Sequence, residues 1–305
     1  TTLFRSMLIV NSWAQKYFTT QLYEHQEGKA AGLRYFAERG FREDTIRKFQ
    51  LGYSLDQRDA LYKAATKSGY KKEFLEKTGL VIAYDNGGVN DRFRGRVIFP
   101  VHTLSGKVVA FGGRVLKKDE KTAKYVNSPE SEIYHKSNEL YGIFFAKQSI
   151  VKQDRCFLVE GYTDVISMHQ AGFNNAVASL GTALTSQQAS LLKRYTDEVL
   201  IIYDSDEAGV KAALRAIPML KTAGLSTKVI NLRPYKDPDE FIKNMGKEAF
   251  QERLDHGMNS FMFELKALEG QYDMEDPQGQ TDFFKETAKR LLRFEDEIER
   301  SSYIK

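Results

Sequence analysis

The stretch Cys156-Phe157-Leu158-Val159-Glu160-Gly161-Tyr162-Thr163-Asp164 decides how this chain reads. A short apolar run closes on a carboxylate and a glycine, with a second carboxylate just beyond. Three more runs follow. Ala176-Val177-Ala178-Ser179 closes on Leu180-Gly181-Thr182, and Val199-Leu200-Ile201-Ile202-Tyr203 closes on Asp204-Ser205-Asp206. Thr227-Lys228-Val229-Ile230-Asn231-Leu232 is followed by Lys236-Asp237-Pro238-Asp239-Glu240. Between the runs, over 165–171, 186–195 and 207–223, apolar residues recur three and four apart, the period of a helix. Thr185 and Gln188 form a capping box that opens the second of these helices. Pro218 predicts a kink near Arg215 in the third. Strands alternating with helices of this length imply a parallel sheet built from right-handed crossovers. Nearly continuous apolar strands fit a sheet buried on both faces.

In an open parallel sheet, ligands collect at the carboxyl ends of the strands. Glu160, Asp164, Asp204, Asp206, Asp237 and Asp239 all stand at or just past those ends. Carboxylates crowded at one edge raise one another's pKa values, so a site that keeps them ionised wants cations. All-oxygen donors select hard ions, Mg²⁺ or Mn²⁺. Such ions beside basic residues are the equipment of phosphoryl transfer. Each acid also has a plainer reading. Asp164 stands where a first-turn helix charge is favourable, and Asp239 is equally an N-cap or first-turn residue. The Gly181-Thr182 turn leaves backbone N–H groups free to meet an anion.

The spacing Glu160-Gly161-x-x-Asp164, then Asp204-x-Asp206, then Asp237-x-Asp239 resembles the Toprim domain of primases, topoisomerases and some nucleases. The surrounding words resemble the bacterial replicative primase of the DnaG type. They include Val159 to Val165, Ala176 to Ala183 and Tyr203-Asp204-Ser205-Asp206-x-Ala208-Gly209. Upstream, Arg94-Gly95-Arg96-Val97-Ile98-Phe99-Pro100, Phe111-Gly112-Gly113-Arg114, Lys124-Tyr125-x-Asn127-Ser128-Pro129-Glu130 and His135-Lys136 are similar to that enzyme's amino-terminal lobe. Ser137 departs from the family, where glycine is frequent.

Outward from this centre, residues 1–50 read as three helices of packing scaffold, the second, Gly28 to Arg39, ended by Gly40. Two short helices over 56–79 follow. Asn86-Gly87-Gly88 is a turn between Val81-Ile82-Ala83-Tyr84 and the strand Phe93 to His102. A second hairpin turns at Leu104-Ser105-Gly106-Lys107, and Pro100 marks an edge or a bulge. Arg92, Arg94, Arg96, Lys107, Arg114, Lys117, Lys118, Lys121 and Lys124 concentrate here, with Asp119 and Glu120 between them. Arg94 and Arg96, two apart on a strand, would share a face. Such a groove suits a phosphate backbone, and Arg can grip phosphate oxygens with two hydrogen bonds. Tyr125-Val126-Asn127-Ser128-Pro129 reads as an ordered loop entering the cleft. After Phe241 the pattern is helical, with a polar loop from Gln271 to Gln280 containing Pro277.

The chain has 305 residues, 42% hydrophobic, with a net charge of +4. The lone Cys156 rules out an internal disulfide and favours a cytoplasmic protein. No apolar run approaches the ~20 residues of a membrane span. The five histidines are scattered and show no zinc-ligand spacing.

The expected architecture is α/β, α+β overall, in three parts. Residues 1–150 form a mixed α/β lobe with the basic patch, 151–245 a Toprim domain with a parallel sheet flanked by helices, and 246–305 a helical bundle. The resemblance implies a DNA-directed RNA polymerase that makes RNA primers on single-stranded DNA from ribonucleoside triphosphates. Glu160, Asp204 and Asp206 would be catalytic, and Asp164, Asp237 and Asp239 would complete the metal set. Arg94, Arg96, Arg114, Lys124, Asn127 and Lys136 would hold triphosphate, template or RNA–DNA hybrid. The family's zinc ribbon and helicase-binding domain are read as absent, as in an excised core. A Toprim nuclease or topoisomerase, or a non-catalytic nucleic-acid-binding module, are the rival readings.

Overall fold

A computed structural model describes residues 2–117 and 121–304. Lys118, Asp119 and Glu120 of the basic stretch lie outside the described residues. The chain opens with α1 (Thr2–Glu24), a π-helical turn over Gly28–Leu33, α2 (Arg34–Glu38) and α3 (Glu43–Lys48). Met7, Val10, Asn11, Ala14, Phe18 and Leu22 are the buried face of α1. A four-stranded antiparallel sheet follows, in the order β1 (Gly52–Ser54), β4 (Arg96–His102), β5 (Val108–Val115) and β6 (Tyr125–Asn127). Helices α4 (Ala60–Lys67) and α5 (Lys72–Lys77) and the hairpin β2 (Val81–Ala83) with β3 (Val89–Asp91) are inserted between β1 and β4.

Three expectations are corrected in this lobe. The turn at Asn86-Gly87-Gly88 exists, but its second strand is β3, whereas Arg96 to His102 pairs with β5. β3 is too short to show a period, so in the sequence the longer run beyond it reads as the second strand. Tyr125–Asn127 is a strand of the sheet, paired with Gly112–Arg114, not a loop. Arg94 lies in a turn and not on β4, so it does not share a strand face with Arg96. The register shift between Val101 and His102 places a bulge next to Pro100, where β1 no longer pairs with β4.

Beyond α6 (Ile143–Gln153) comes the parallel-sheet unit. Its elements are β7 (Cys156–Val159), α7 (Tyr162–Gln170), β8 (Ala176–Ala178), α8 (Ser186–Lys193), β9 (Glu198–Ile201), α9 (Glu207–Thr222) and β10 (Ser226–Val229). The sheet order is β11-β10-β9-β7-β8, parallel except for β11 (Met258–Asn259), a two-residue antiparallel edge strand outside the four-run reading. Thr185 caps α8 with both bonds of the box present. Helix α9 runs continuously from Glu207 to Thr222 with Pro218 inside it. Helix α10 (Pro238–Asp255) is divided by a non-helical Gly246, and α11 (Ser260–Glu269), α12 (Pro277–Leu291) and α13 (Glu297–Ser302) close the chain. Pro277 sits in the first turn of α12 behind the cap Asp276, not in a loop. Its missing N–H has no intrahelical partner to lose there.

One hydrophobic cluster joins the two sheets. It runs from Met7 and Phe36 through Phe99, Tyr141 and Tyr162 to Phe241 and Phe250. A second lies under the opposite face of the parallel sheet, around Leu158, Val177, Ile201 and Ile217. No helix among the described residues is long and apolar enough to cross a membrane.

Candidate active site

The carboxyl ends of β7 and β9 bring Glu160 beside Asp204. The Asp204 backbone N–H donates to Glu160 Oε1 at 3.2 Å. Two residues further on, Asp206 caps α9, accepting from the Gly209 N–H at 2.9 Å. The helix starts hard against the strand end. A Cβ on Gly209 would lie 1.9 Å from the Asp204 carbonyl oxygen, so only glycine lets α9 begin there. Asp237 caps α10 in the same manner, accepting from the Glu240 N–H at 2.8 Å. The Ser205 N–H donates to the Lys236 carbonyl at 2.8 Å, tying the two acidic loops together.

Electrostatics register the crowding that the spacing implies. Burial pushes the Glu160 carboxyl up, and Asp204 and Asp206 add to the rise. Asp204 is raised by burial, opposed by Lys236 and reinforced by Asp237 and Asp206. Asp164, in the first turn of α7, is pushed well above the usual carboxylate range by burial and then by Asp237, Asp204 and Asp239. Lys236 answers part of this charge, with Nζ 3.6 Å from Asp204 Oδ2. Asp239 is a buried first-turn residue. Its oxygens are taken by Lys243 Nζ at 2.7 Å, Arg39 Nη1 at 3.3 Å and the Ser167 hydroxyl at 2.5 Å. Among the described residues, no three His, Cys, Asp or Glu side chains are arranged to hold an ion together.

A basic rim faces the acids from the other lobe. Arg39, assigned to scaffold by its helical context, donates to Tyr35 Oη at 3.0 Å and Thr163 Oγ1 at 3.2 Å besides meeting Asp239. The Arg114 guanidinium lies 4.7 Å from the centre of the Tyr35 ring, and its Nε is buried without a hydrogen-bond partner. Partial burial and the neighbouring Arg114, Lys236 and Arg39 push the Lys124 ammonium down. Asn127 Oδ1 accepts from the Tyr162 hydroxyl at 2.7 Å, and its Nδ2 would lie 3.2 Å from a Cβ on Gly181.

The other expected contacts are placed differently. Arg96 is buried, and its guanidinium donates to the carbonyls of Gly113, Ala123 and Lys124. Arg94 pairs with Asp56 at 2.8 Å, and Lys117 takes the other oxygen of that carboxylate. The Lys136 backbone is held between Glu130 and Gln188.

Comparison with known proteins fits this geometry. The RNA polymerase domain of Mycobacterium tuberculosis primase DnaG, solved with a double-stranded DNA oligomer carrying a 6-nucleotide overhang, superimposes with a TM-score of 0.86. It is 32% identical, with 98% of this chain and 95% of that one covered. The chain belongs to the DnaG primase family.

A DnaG primase catalytic domain solved bound to single-stranded DNA matches with a TM-score of 0.84 at 31% identity, covering 99% of this chain and 97% of that one. The DNA primase of Clostridium acetobutylicum is 40% identical over 296 residues, covering 97% of this chain and 48% of that protein. The chain therefore spans about half the length of the curated primases it matches. Residues 17–147 match the amino-terminal domain of the DNA primase catalytic core, and residues 157–242 match the Toprim-like family. Residues 261–305 match the DnaB-helicase binding domain of primase, which corrects the expectation that this part of the family is missing. Primases are DNA-directed RNA polymerases, and primase and Toprim cores are typically metal-dependent.

Proposed function

We propose that this chain makes short RNA primers on single-stranded DNA from ribonucleoside triphosphates, in the cytoplasm. The observation that carries the reading is the cleft itself. Half-buried carboxylates at the ends of β7 and β9, with Lys236 beside them, face Arg39, Arg114 and Lys124 of the other lobe.

The donor set suits a hard divalent ion, because it is all oxygen and burial, reinforced by neighbouring carboxylates, raises Glu160, Asp164 and Asp204. Glu160, Asp204 and Asp206 would hold Mg²⁺ or Mn²⁺, with Asp164 and Asp237 behind them. When bound, the metal supplies charge stabilisation for in-line displacement at a phosphorus. The chain's own residues do the rest. Arg114 and Lys124 bind the triphosphate, and the orphaned Nε of Arg114 is a donor awaiting an oxygen. Asn127 offers its amide donors beside Gly181. Asp239 holds Arg39 against α7 rather than offering free oxygens. Lys136 contacts template, hybrid or nucleotide. Arg96 acts indirectly, anchoring the segment that carries Lys124. Residues 261–305 would contact the replicative helicase.

The test is primer synthesis on single-stranded DNA with all four ribonucleotides and Mg²⁺ or Mn²⁺, comparing wild type with Asp204→Ala. RNA from the wild type alone supports the reading. Template nicking without RNA moves the chain to the nuclease side of the Toprim group, and full activity in the variant sinks the metal assignment.

A further inference from the structure

The segment from Glu130 to Leu140 carries Lys136 through turns and one isolated bridge, Ser131 to Tyr134, with little regular structure to fix its path. Two side chains at the start of α8 grip its backbone. Thr185 Oγ1 donates to the Ser137 carbonyl at 2.6 Å. Gln188 Nε2 donates to the carbonyls of Lys136 at 3.1 Å and Glu139 at 2.8 Å. The same residues cap their own helix. The Gln188 N–H donates to Thr185 Oγ1 at 3.1 Å, and the Thr185 N–H donates to Gln188 Oε1 at 3.0 Å. Gln188 is 1% exposed, and its whole amide is engaged. At the other end of the loop, Glu130 accepts from the Lys136 N–H at 2.9 Å and meets His135 Nδ1 at 3.3 Å.

A capping box needs only two acceptors, Gln188 Oε1 for the Thr185 N–H and Thr185 Oγ1 for the Gln188 N–H. The Gln188 Nε2 donors and the Thr185 hydroxyl proton are surplus to the helix, and both are aimed at carbonyls of the other lobe. We propose that Thr185 and Gln188 are positioning residues that set the path of the Lys136 loop. The catalytic consequence rests on the primase reading above, in which Lys136 meets substrate. Chemistry here is asymmetric. Glutamate at 188 would keep the cap but turn an oxygen toward two carbonyl oxygens, whereas serine at 185 would keep every bond.

The experiment uses the full chain with Gln188→Glu, Gln188→Met, Thr185→Ser and Lys136→Ala. Trypsin cleavage after Lys136, followed by mass spectrometry relative to cleavage elsewhere, reads the loop without any need for activity. Gln188→Glu and Gln188→Met should accelerate that cut selectively, and Thr185→Ser should not. The KM for ribonucleotide or template in primer synthesis should rise about tenfold in Gln188→Glu with kcat little changed. Joined to Lys136→Ala, Gln188→Glu should add nothing further. Wild-type cleavage after Lys136 in both Gln188 variants overturns the proposal, as does a KM effect fully additive with Lys136→Ala. Gln188→Met decides the point if Gln188→Glu is cut everywhere. A wild type that makes no RNA defeats the primase reading alone, because the cleavage arm still tests the clamp.

Discussion

The Tyr162 hydroxyl donates to Asn127 Oδ1 across 2.7 Å, joining the first residue of α7 to the last residue of β6. The bond fixes which way the Asn127 amide faces, leaving Nδ2 toward Gly181. The Tyr162 ring stacks on Phe99 with centroids 4.8 Å apart and meets Tyr141 edge-on at 4.7 Å. The residue that follows Glu160-Gly161 is therefore set by the amino-terminal lobe.

Tyr162→Phe keeps the rings and removes the bond. It should cost about 1 kcal/mol of stability and raise the KM for nucleotide more than it lowers kcat. Tyr162→Ala should cost about 3–5 kcal/mol by emptying the buried stack. Urea unfolding and steady-state primer synthesis separate the two. Equal loss of stability in both variants would contradict the division.

At the site, Gly112 lies against the Tyr162 ring and Gly209 against the Asp204 backbone. Gly209→Ala places a methyl group 1.9 Å from the Asp204 carbonyl oxygen, and a backbone atom cannot swing aside. The start of α9 must shift, carrying Asp206 away from Asp204. Primer synthesis should fall at least 100-fold, as a misplacement of ~1 Å does elsewhere, while far-UV circular dichroism stays close to wild type.

The raised carboxyl groups make a signed pH prediction for metal-free protein. Folded values of Glu160, Asp164 and Asp204 lie above their unfolded values. The folded chain then holds more protons than the unfolded chain above the ordinary carboxylate range, so these groups lower stability as pH rises through their folded values. Asp204→Asn should therefore raise the melting temperature at pH 7.5 without metal while abolishing synthesis. Saturating Mg²⁺ should stabilise wild type more than the variant.

Asp91 gives a second, independent titration. Burial lifts its carboxyl from the ordinary 3.8 to about 6, although it accepts the Leu61 and Tyr62 N–H groups at the start of α4. The displacement corresponds to on the order of 3 kcal/mol. It stabilises the fold below about pH 4 relative to above pH 6, with the change spread between those limits. Asp91→Asn should flatten the stability profile over that window and leave primer synthesis at pH 8 unchanged.

The acids and the helix starts were legible because both are local. Asp204 and Asp206 follow an apolar run directly, and Thr185 and Gln188 are three residues apart. Arg39 was not legible. The acids near it in sequence, Glu38, Glu43 and Asp44, are not its partners, and Asp239 lies 200 positions away. Arg96 misled for the opposite reason. Its company of basic residues suggested a phosphate-binding groove, whereas its guanidinium is consumed by three backbone carbonyls. Tyr125–Asn127 looked like a loop because Ser128 and Pro129 follow at once, and its pairing with Gly112–Arg114 is a long-range choice. Residues 261–305 showed helical periodicity, but an amphipathic helix does not announce what it touches.

Tyr162 pressed against Gly112 also bears on inheritance. A Cβ at position 112 would meet the Tyr162 oxygen at 2.2 Å, and the ring's other neighbours, Phe99 and Tyr141, come from before the parallel sheet begins. The segment matching the Toprim family is thus no free-standing cassette in this chain. Recombination that exchanged it alone would strand an aromatic ring without its glycine notch. The two halves must therefore mutate in step, and hybrid primases should work only when residues 99, 112, 141 and 162 travel as a set.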